Sequence, residues 1–327
     1  MTAHPNLLPE LAAVAGAADI DITDVAAARR RTEESSKAAI DALSYEGVDV
    51  TEISAPGLGG NPDVPIRFLR PVAAVGTLPV LLAIHGGGFV LGRAQEFEYF
   101  CVEVVRELGI AVANVEYRLA PETPFPGPLD DCYAALLHVS SRADELGVDP
   151  ALLAVAGSSA GGGLAAGVVL RARDEGGPAI AYQLLLSPAL DDRSPSSTEA
   201  GAPDADADAD AAKESTGALV WRYYLGPGYS GPADADVSAY AAPARAADLS
   251  GLPPTSIATM EIDPVRTQGI EFALRLLDAG VSVELHSHPG TFHGSVEFAP
   301  TAPSSVRILR GLLDGLGRAL SRSPHPH

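Results

Sequence analysis

The sequence VAGSSAGGG at residues 155–163 decides how the rest of the chain is interpreted. It follows an apolar run, LLAVA at 152–156, that predicts a buried strand, and it leads into a helical pattern over 160–173. Residues 157–161 fit G-x-S-x-G with Ser159 at the centre, and no other segment of the sequence fits. A tight turn from strand to helix lifts the central hydroxyl clear of the sheet and places it at a helix N-terminus. The motif therefore predicts that Ser159 is a nucleophile; the alternative is a helix N-cap before a glycine-rich packing face.

A second glycine run follows another apolar stretch. The sequence HGGGF at 85–89 comes directly after VLLAI at 80–84. Three successive glycines cost conformational entropy on folding, so their presence needs a reason. We expect their bare backbone N–H groups to approach a developing negative charge on a substrate oxygen, as in an oxyanion hole. A flexible loop is the alternative, but the association of such a loop with a turn like that around Ser159 is specific.

Strand and helix patterns alternate along most of the chain. Strand patterns occupy 80–84, 110–117, 152–156, 180–187, 255–260 and 281–287. Helical patterns lie between and after them, at about 96–108, 130–146, 160–173, 264–279 and 304–320. The alternation predicts βαβ units and a mostly parallel sheet.

The N-terminal part of the chain has a different pattern. Helical character at 6–15 and 22–44 comes first, with Asp21 or Thr23 as the expected cap of the second helix. Two strand patterns follow and predict a hairpin-like pair, at 48–54 and 64–70.

A long insertion interrupts the alternation at 191–250. Its acidic run PDADADADAA at 203–212 predicts a solvated loop, because aspartate is a poor strand former and nothing there is apolar enough to pack. By contrast, ALVWRYYLG at 218–226 predicts a helix lying on an apolar surface. We therefore divide the chain into a core and a cap. The core comprises 46–190 and 251–327, and the cap comprises the N-terminal helices within 1–45 and the insertion 191–250. The cap is expected over the carboxyl edge of the sheet, where open α/β sheets bind ligands.

The composition excludes several classes of function. The chain has 327 residues and a net charge of −20, which repels phosphate backbones and anionic membrane surfaces, so we expect neither nucleic acid nor membrane as a partner. No apolar run approaches the roughly 20 residues of a membrane span. Cys101 and Cys132 are predicted to be reduced and buried, and without a Cys/His cluster we expect no metal. The first 20 residues make a poor signal peptide, which predicts a cytoplasmic protein.

Four segments together carry a resemblance to a known family: HGGGF (85–89), VEYRLAPE (115–122), FPGPLDD (125–131) and GSSAGGG (157–163). They resemble the hormone-sensitive-lipase-like branch of the α/β-hydrolases, and within it the bacterial carboxylesterases of the heroin-esterase type. The resemblance covers nearly the whole chain. It implies an α/β-hydrolase fold, in which helices flank a mostly parallel central sheet and a helical cap covers it.

The chain departs from the pattern of that family in two segments. The family often has Asp or Thr before the nucleophile, where this chain has Ser158. We expect this departure to affect the pH profile and not the chemistry. The family's usual D-P-L-R-D-E-G appears as DPVRTQG at 263–269, in which Thr267 and Gln268 replace two carboxylates. We expect that replacement to weaken local salt bridges.

An acid and a base are still required, and in this fold they follow the serine in the order Asp or Glu, then His. Asp263 and His293 lie in expected loops beyond the carboxyl ends of two consecutive strands, where both can reach Ser159. Asp263 also stands in a D-P motif that matches the acid of the family, and His293 matches its base.

Alternatives remain for the acid and the base. Asp263 could instead cap a helix that starts at Pro264, because proline is favoured at the first helical position. Glu261 is a second candidate acid. We expect His286 and His288 to be structural or exposed.

We therefore expect a serine carboxylesterase that hydrolyses short- to medium-chain acyl esters of small molecules and needs no cofactor. The resemblance implies that the oxyanion is held by the amides of Gly87, Gly88 and Ala160. Candidates for the apolar wall of the substrate pocket are Phe89, Trp221 and Tyr224.

Other functions remain open on the same fold, because fold alone does not decide function. They are an amidase or acyl transferase that uses the same three residues, and a catalytically silent ligand-binding module. The resemblance also implies a homodimer, joined through the strand at 281–287 and its neighbouring helices.

Overall fold

A computed structural model describes residues 4–18, 20–193 and 215–321. Within these residues, eight strands form one sheet: β1 Val48–Ala55, β2 Val64–Pro71, β3 Leu78–Ile84, β4 Ala111–Val115, β5 Val148–Ser158, β6 Tyr182–Leu186, β7 Thr255–Ile262 and β8 Val283–Phe292. The strands lie in the order β1-β2-β4-β3-β5-β6-β7-β8. β2 is antiparallel to β1 and β4, and every other pair is parallel. The predicted hairpin and the predicted mostly parallel sheet are both confirmed.

The α-helices of the described residues are α1 Val25–Ala42, α2 Glu98–Leu108, α3 Gly127–Ser141, α4 Ala143–Leu146, α5 Ala160–Glu175, α6 Thr216–Leu225, α7 Arg266–Asp278, α8 Ser295–Phe298 and α9 Pro303–Leu320. Helices α3, α5 and α7 contribute to the core on one face of the sheet, and α2 and α9 to the core on the other. Along β3, Leu82 packs into the first core and Leu81 into the second, and both are fully buried. The strand is therefore apolar throughout, as parallel strands covered on both faces must be.

Several elements differ from their predicted bounds. The helical pattern at 6–15 gives two short 3₁₀ segments, Pro9–Leu11 and Ala15–Ala18. Helix α1 is capped by Asp24, whose side chain accepts from the Ala27 N–H at 2.9 Å, so neither predicted cap was right. The pattern at 130–146 splits into α3 and α4.

The last strand is longer than its pattern. β8 continues to Phe292 because it stays paired with β7, where Ile262 opposes Phe292. His288 therefore lies within the strand, and His293 follows its final residue directly.

Two helices outside the alternating pattern lie next to the glycine loop at 85–89. In α1, Arg29 donates through Nε to the Val90 carbonyl and through Nη2 to the Ala120 carbonyl, each at 2.8 Å. In α6, Val220 lies so close to Gly88 that an added Cβ there would be 3.1 Å from it. These contacts place parts of both predicted cap segments at the carboxyl edge of the sheet. The division at residues 45, 190 and 250 stays a prediction, and the acidic run at 203–212 lies outside the described residues.

The turn after β5 presses against the end of β3, and glycine makes this possible. A Cβ on Gly161 would lie 2.2 Å from the Ile84 carbonyl oxygen and 2.3 Å from that of His85. A Cβ on Gly157 would lie 2.0 Å from the Gly161 carbonyl oxygen. Since all of these atoms belong to the backbone, no side-chain adjustment can make room.

We therefore expect Gly161→Ala to lower the free energy of unfolding by about 3 kcal/mol or more, because a methyl group there must displace the backbone carbonyls of Ile84 and His85 at the end of β3. The matched control is Gly311→Ala in α9, where an added Cβ meets nothing within 4 Å. That change should raise stability by about 0.5–1 kcal/mol through helix propensity. Urea unfolding followed by circular dichroism measures both; equal stability of the two variants would contradict the close approach.

Candidate active site

Ser159 occupies the turn between β5 and α5 in a conformation that L-residues rarely adopt. Its φ is 55° and its ψ is −118°. The backbone is held in this shape from both sides, because the Ser159 N–H donates to the Leu186 carbonyl at 2.8 Å and its carbonyl accepts from Ala189 at 2.9 Å. Such strain persists only where the surrounding structure fixes it, and it is typical of functional sites.

The neighbouring strands bring an acid and a base to the same edge. Asp263 directly follows β7, and His293 directly follows β8. Because β7 and β8 pair in parallel up to their last residues, these two side chains emerge next to each other. The two residues are 30 positions apart in the sequence, and the strand–helix–strand unit of β7, α7 and β8 brings them together.

The three side chains form one hydrogen-bonded line. The Ser159 Oγ lies 2.8 Å from His293 Nε2, and His293 Nδ1 lies 3.0 Å from Asp263 Oδ2. A carboxylate at Nδ1 favours the tautomer with its proton on Nδ1, which leaves Nε2 free to accept the serine proton. The structure thus brings together the three residues that were predicted to act together.

The acid is buried and fixed by a second hydrogen bond. The side chain of Asp263 has no solvent exposure, and its Oδ1 accepts from the Val265 N–H at 2.8 Å. Asp263 therefore also stabilises the turn before α7, which begins at Arg266 and not at Pro264. The capping alternative and the acid role are compatible, since each uses a different oxygen.

The charges around His293 favour the protonated imidazole more than bulk water does. Burial disfavours the charged form, but the charge of Asp263 and its hydrogen bond outweigh burial, and Glu297 adds to their effect. The net result is a pKa of His293 above its ordinary value of 6.5. A base with a raised pKa accepts a proton more readily, provided that the pH is high enough to keep it neutral beforehand.

The other candidate acid and bases have different partners. Glu261 accepts from the Gly290 N–H at 2.6 Å and from Asn6 Nδ2 at 2.7 Å, and these bonds lower its pKa. His286 is exposed and lies 2.8 Å from Glu284. Burial, with His286 and Arg307 nearby, lowers the pKa of His288 to about 4. Glu261 instead joins the N-terminal segment to the end of β8, shortly before His293.

The glycine loop lies against Ser159. A Cβ on Gly86 would be 3.4 Å from the Ser159 Cβ. Gly87 and Gly88 have φ values of 114° and 60°, and the Gly87 carbonyl accepts from the Leu91 N–H at 2.8 Å. Within the described parts of the chain, the N–H groups of Gly87, Gly88 and Ala160 donate to no acceptor. They are therefore available to a bound oxygen.

His85 supports this loop as a neutral side chain. Burial lowers its pKa to about 4, and its ring stacks on Tyr117 at 4.2 Å between centroids. Its Nδ1 lies 2.8 Å from the Gly86 carbonyl oxygen, which can only accept, so Nδ1 carries the proton. The Tyr117 hydroxyl donates to the His85 carbonyl at 2.9 Å. Both contacts fix the backbone that precedes Gly87.

The three predicted pocket residues form an aromatic cluster between α6 and the glycine loop. Phe89 stacks on Tyr224 with 3.8 Å between ring centroids, and Trp221 lies 5.5 Å from Phe89. Phe89 is fully buried, Tyr224 is 1% exposed and Trp221 is 6% exposed. The cluster therefore joins α6 to the glycine loop and leaves little side-chain surface for a ligand. A role as pocket wall stays a prediction.

Two polar contacts near the site were not found by sequence reasoning. Ser158 donates to Glu297 on α8, a partner 139 positions away. The side-chain oxygen of Gln268 accepts from the amides of Leu190 and Asp191, at 2.8 and 3.0 Å. Gln268 was considered only as a lost carboxylate, yet it fixes the start of the insertion. Neither partner is close in sequence, so no local pattern could have indicated it.

The described residues contain no group of three or more His, Cys, Asp or Glu side chains that could hold a metal ion. None of their helices combines the length and the apolar character that a membrane crossing requires.

Comparison with known proteins gives consistent matches. A family described as alpha/beta hydrolase fold matches residues 81–297. A solved bacterial heroin esterase superposes with a TM-score of 0.90 at 55% identity, covering 98% of this chain and 99% of that one. The carboxylesterase NlhH of Mycobacterium tuberculosis is 41% identical over 267 residues, 81% of each chain. An ethyl acetate hydrolase of Pseudomonas putida is 32% identical over 274 residues, again 81% of each chain.

We expect Asp263→Asn to lower the pKa of His293, because the carboxylate that outweighs burial is lost while burial remains. NMR titration of the imidazole measures this, with His293→Gln used to assign the signal. The matched control is Asp278→Asn at the exposed end of α7, which removes the same charge far from the site. An unchanged titration in Asp263→Asn would contradict the electrostatic role.

Proposed function

The chain belongs to the hormone-sensitive-lipase-like α/β-hydrolases and is a carboxylic ester hydrolase, and we propose that Ser159, His293 and Asp263 carry out its reaction. The observation that carries the proposal is the unbroken hydrogen-bonded line from the Ser159 Oγ through His293 to Asp263. All three groups lie where the strained turn and the ends of two neighbouring strands meet.

In the first half of the reaction, His293 Nε2 takes the proton of Ser159 as the serine oxygen attacks the ester carbonyl carbon. The carbonyl oxygen gains negative charge and is held by the amides of Gly87, Gly88 and Ala160. The C–O bond to the alcohol then breaks, and His293 gives its proton to the leaving alkoxide. Asp263 stabilises the imidazolium throughout and does not itself become protonated. The product of this half is an acyl-enzyme.

In the second half, water replaces the alcohol. His293 takes a proton from the water, whose oxygen attacks the acyl carbon of the Ser159 ester. The tetrahedral intermediate collapses, the proton returns to the Ser159 oxygen, and the carboxylic acid leaves. The glycine amides act in both halves because each has an oxyanion. One such donor contributes a factor of about 10²–10³ in rate.

The location and assembly are further parts of the proposal. β8 is the last strand in the sheet order, and exposed leucines lie on β8 and on α7: Leu285, Leu274 and Leu277, at 38%, 54% and 49% exposure. An apolar edge of this kind needs covering, which supports a homodimer through β8. The two cysteines are free and buried, which supports a cytoplasmic location.

We expect a fluorophosphonate probe to label the wild-type protein at Ser159 and to leave Ser159→Ala unlabelled. The hydrolysis of p-nitrophenyl acetate by Ser159→Ala should fall by about 10⁴–10⁶-fold in kcat, since the acyl-enzyme forms on the Ser159 oxygen. The matched control is Ser158→Ala, which removes the adjacent hydroxyl and should still label. Mass spectrometry locates the label; labelling of Ser159→Ala would refute the assignment.

The same assay separates the remaining alternatives. An acyl transferase would pass the acyl group to an added amine faster than to water, and an amidase would cleave the matching anilide at a rate close to that of the ester. A ligand-binding module would neither label nor turn over.

We expect the preferred acyl group to be short or medium. The packed aromatic cluster of Phe89, Trp221 and Tyr224 fills the space between α6 and the glycine loop. The ethyl acetate hydrolase among the relatives is named for an ester of a two-carbon acid. With p-nitrophenyl esters, kcat/KM for acetate, butyrate or octanoate should exceed that for palmitate by about 10²-fold. A higher value for palmitate would contradict the preference.

A further inference from the structure

The serine before the nucleophile makes a contact that the reaction described above does not use. Ser158 is the last residue of β5 and is 5% exposed. Its hydroxyl donates to a carboxylate oxygen of Glu297. Because the acceptor is ionised, this bond is stronger than one between neutral groups. It joins the nucleophile turn to a segment 139 positions later in the chain.

That segment directly follows the base. Glu297 lies on the one-turn helix α8, four positions after His293. The turn is closed on Gly294, whose carbonyl accepts from the N–H of Glu297 at 3.0 Å and from that of Phe298 at 2.9 Å. Gly294 has a φ of 77°, so the chain reverses immediately after His293 and brings Glu297 back towards the site. A bond on Glu297 therefore restrains the backbone that carries His293.

The carboxylate also brings charge to the imidazole. The charged groups that act on His293 are Asp263, at the end of β7, and Glu297, on α8, and both favour the protonated ring. Asp263 does so through direct contact with Nδ1, whereas Glu297 acts through space. An exposed glutamate is free to point into solvent, and it is the Ser158 hydroxyl that keeps this one beside the site.

We propose that Glu297 is a positioning residue for the triad: anchored by the Ser158 hydroxyl, it holds the His293 segment against the nucleophile turn and places a second negative charge near the imidazole. The inference rests on the proposed hydrolysis by Ser159. It assigns a function to Ser158, one of the positions at which this chain departs from its family, since a hydroxyl can donate to Glu297 where an aspartate there would repel it.

The test compares pH profiles of kcat/KM for p-nitrophenyl acetate. Glu297→Gln keeps an oxygen that Ser158 can donate to but removes the charge. Loss of the negative charge of Glu297 lowers the pKa of His293. Because hydrolysis requires a neutral imidazole, the acid limb of the pH profile should move to lower pH. In Glu297→Gln, kcat/KM at about pH 6, expressed as a fraction of its plateau, should be about twice that of wild type. The plateau itself should stay within about threefold of the wild-type value. Ser158→Ala removes the anchor and should lower the plateau by about tenfold, and Ser158→Thr should restore it.

The control is Glu107→Gln, at the exposed carboxyl end of α2, on the opposite edge of the sheet. It removes the same charge and should leave the profile unchanged. An acid limb in Glu297→Gln that coincides with that of wild type overturns the proposal. So does a lower plateau in Ser158→Ala with no shift in Glu297→Gln, because a purely structural contact gives that pattern.

Two measurements keep this result separate from the proposed function. Thermal unfolding shows whether a Ser158 variant folds. If it does not, the acid limb of the pH profile of Glu297→Gln alone tests the proposal. NMR titration of His293 requires no turnover: a lower pKa in Glu297→Gln supports the proposal even if the wild type proves inactive on every ester. An unchanged pKa rejects it even if hydrolysis by Ser159 is established.

Discussion

The closeness of three backbone segments around Ser159 is the constraint on which the site depends. The turn after β5 lies so near the end of β3 that only glycine fits at position 161, and the strain at Ser159 is held by hydrogen bonds to Leu186 and Ala189. The same packing places the loop at 85–89 next to the serine. One close approach thus exposes the hydroxyl and supplies the amides. Neither could move without the other, so the site is preorganised before substrate arrives.

Charge around the base follows from where the strands end. A buried carboxylate is costly without a partner. Asp263 gains two, the His293 ring and the Val265 amide, from the ends of β7 and β8. The hydrogen bond between Asp263 and His293 stabilises the buried carboxylate and also orients the imidazole ring. Glu297 adds to the effect of Asp263 on the pKa of His293, so the segment after His293 contributes to the electrostatics as well as to the packing.

The segments outside the alternating pattern are attached at defined points. Arg29 joins α1 to the carbonyls that follow the glycine loop, and Gln268 holds the amides at the start of the insertion. The aromatic cluster with Phe89 joins α6 to the same loop. These attachments hold backbone that lies beside the glycine loop or next to Ala189, whose N–H donates to the Ser159 carbonyl.

The sequence alone determined the sheet, most of its helices, the turn that carries Ser159 and the glycine loop. Those features have local signals: strands covered on both faces are apolar throughout, and a serine between strand and helix needs small neighbours. It did not determine the 3₁₀ segments near the N-terminus, the true length of β8, or the contacts of Ser158 and Gln268. These depend on groups far away in the chain, and a hydroxyl or an amide has the same local pattern whatever it bonds. Asp263 and His293 were indicated by chain order and resemblance, but only the parallel register of β7 and β8 brought them within hydrogen-bonding distance.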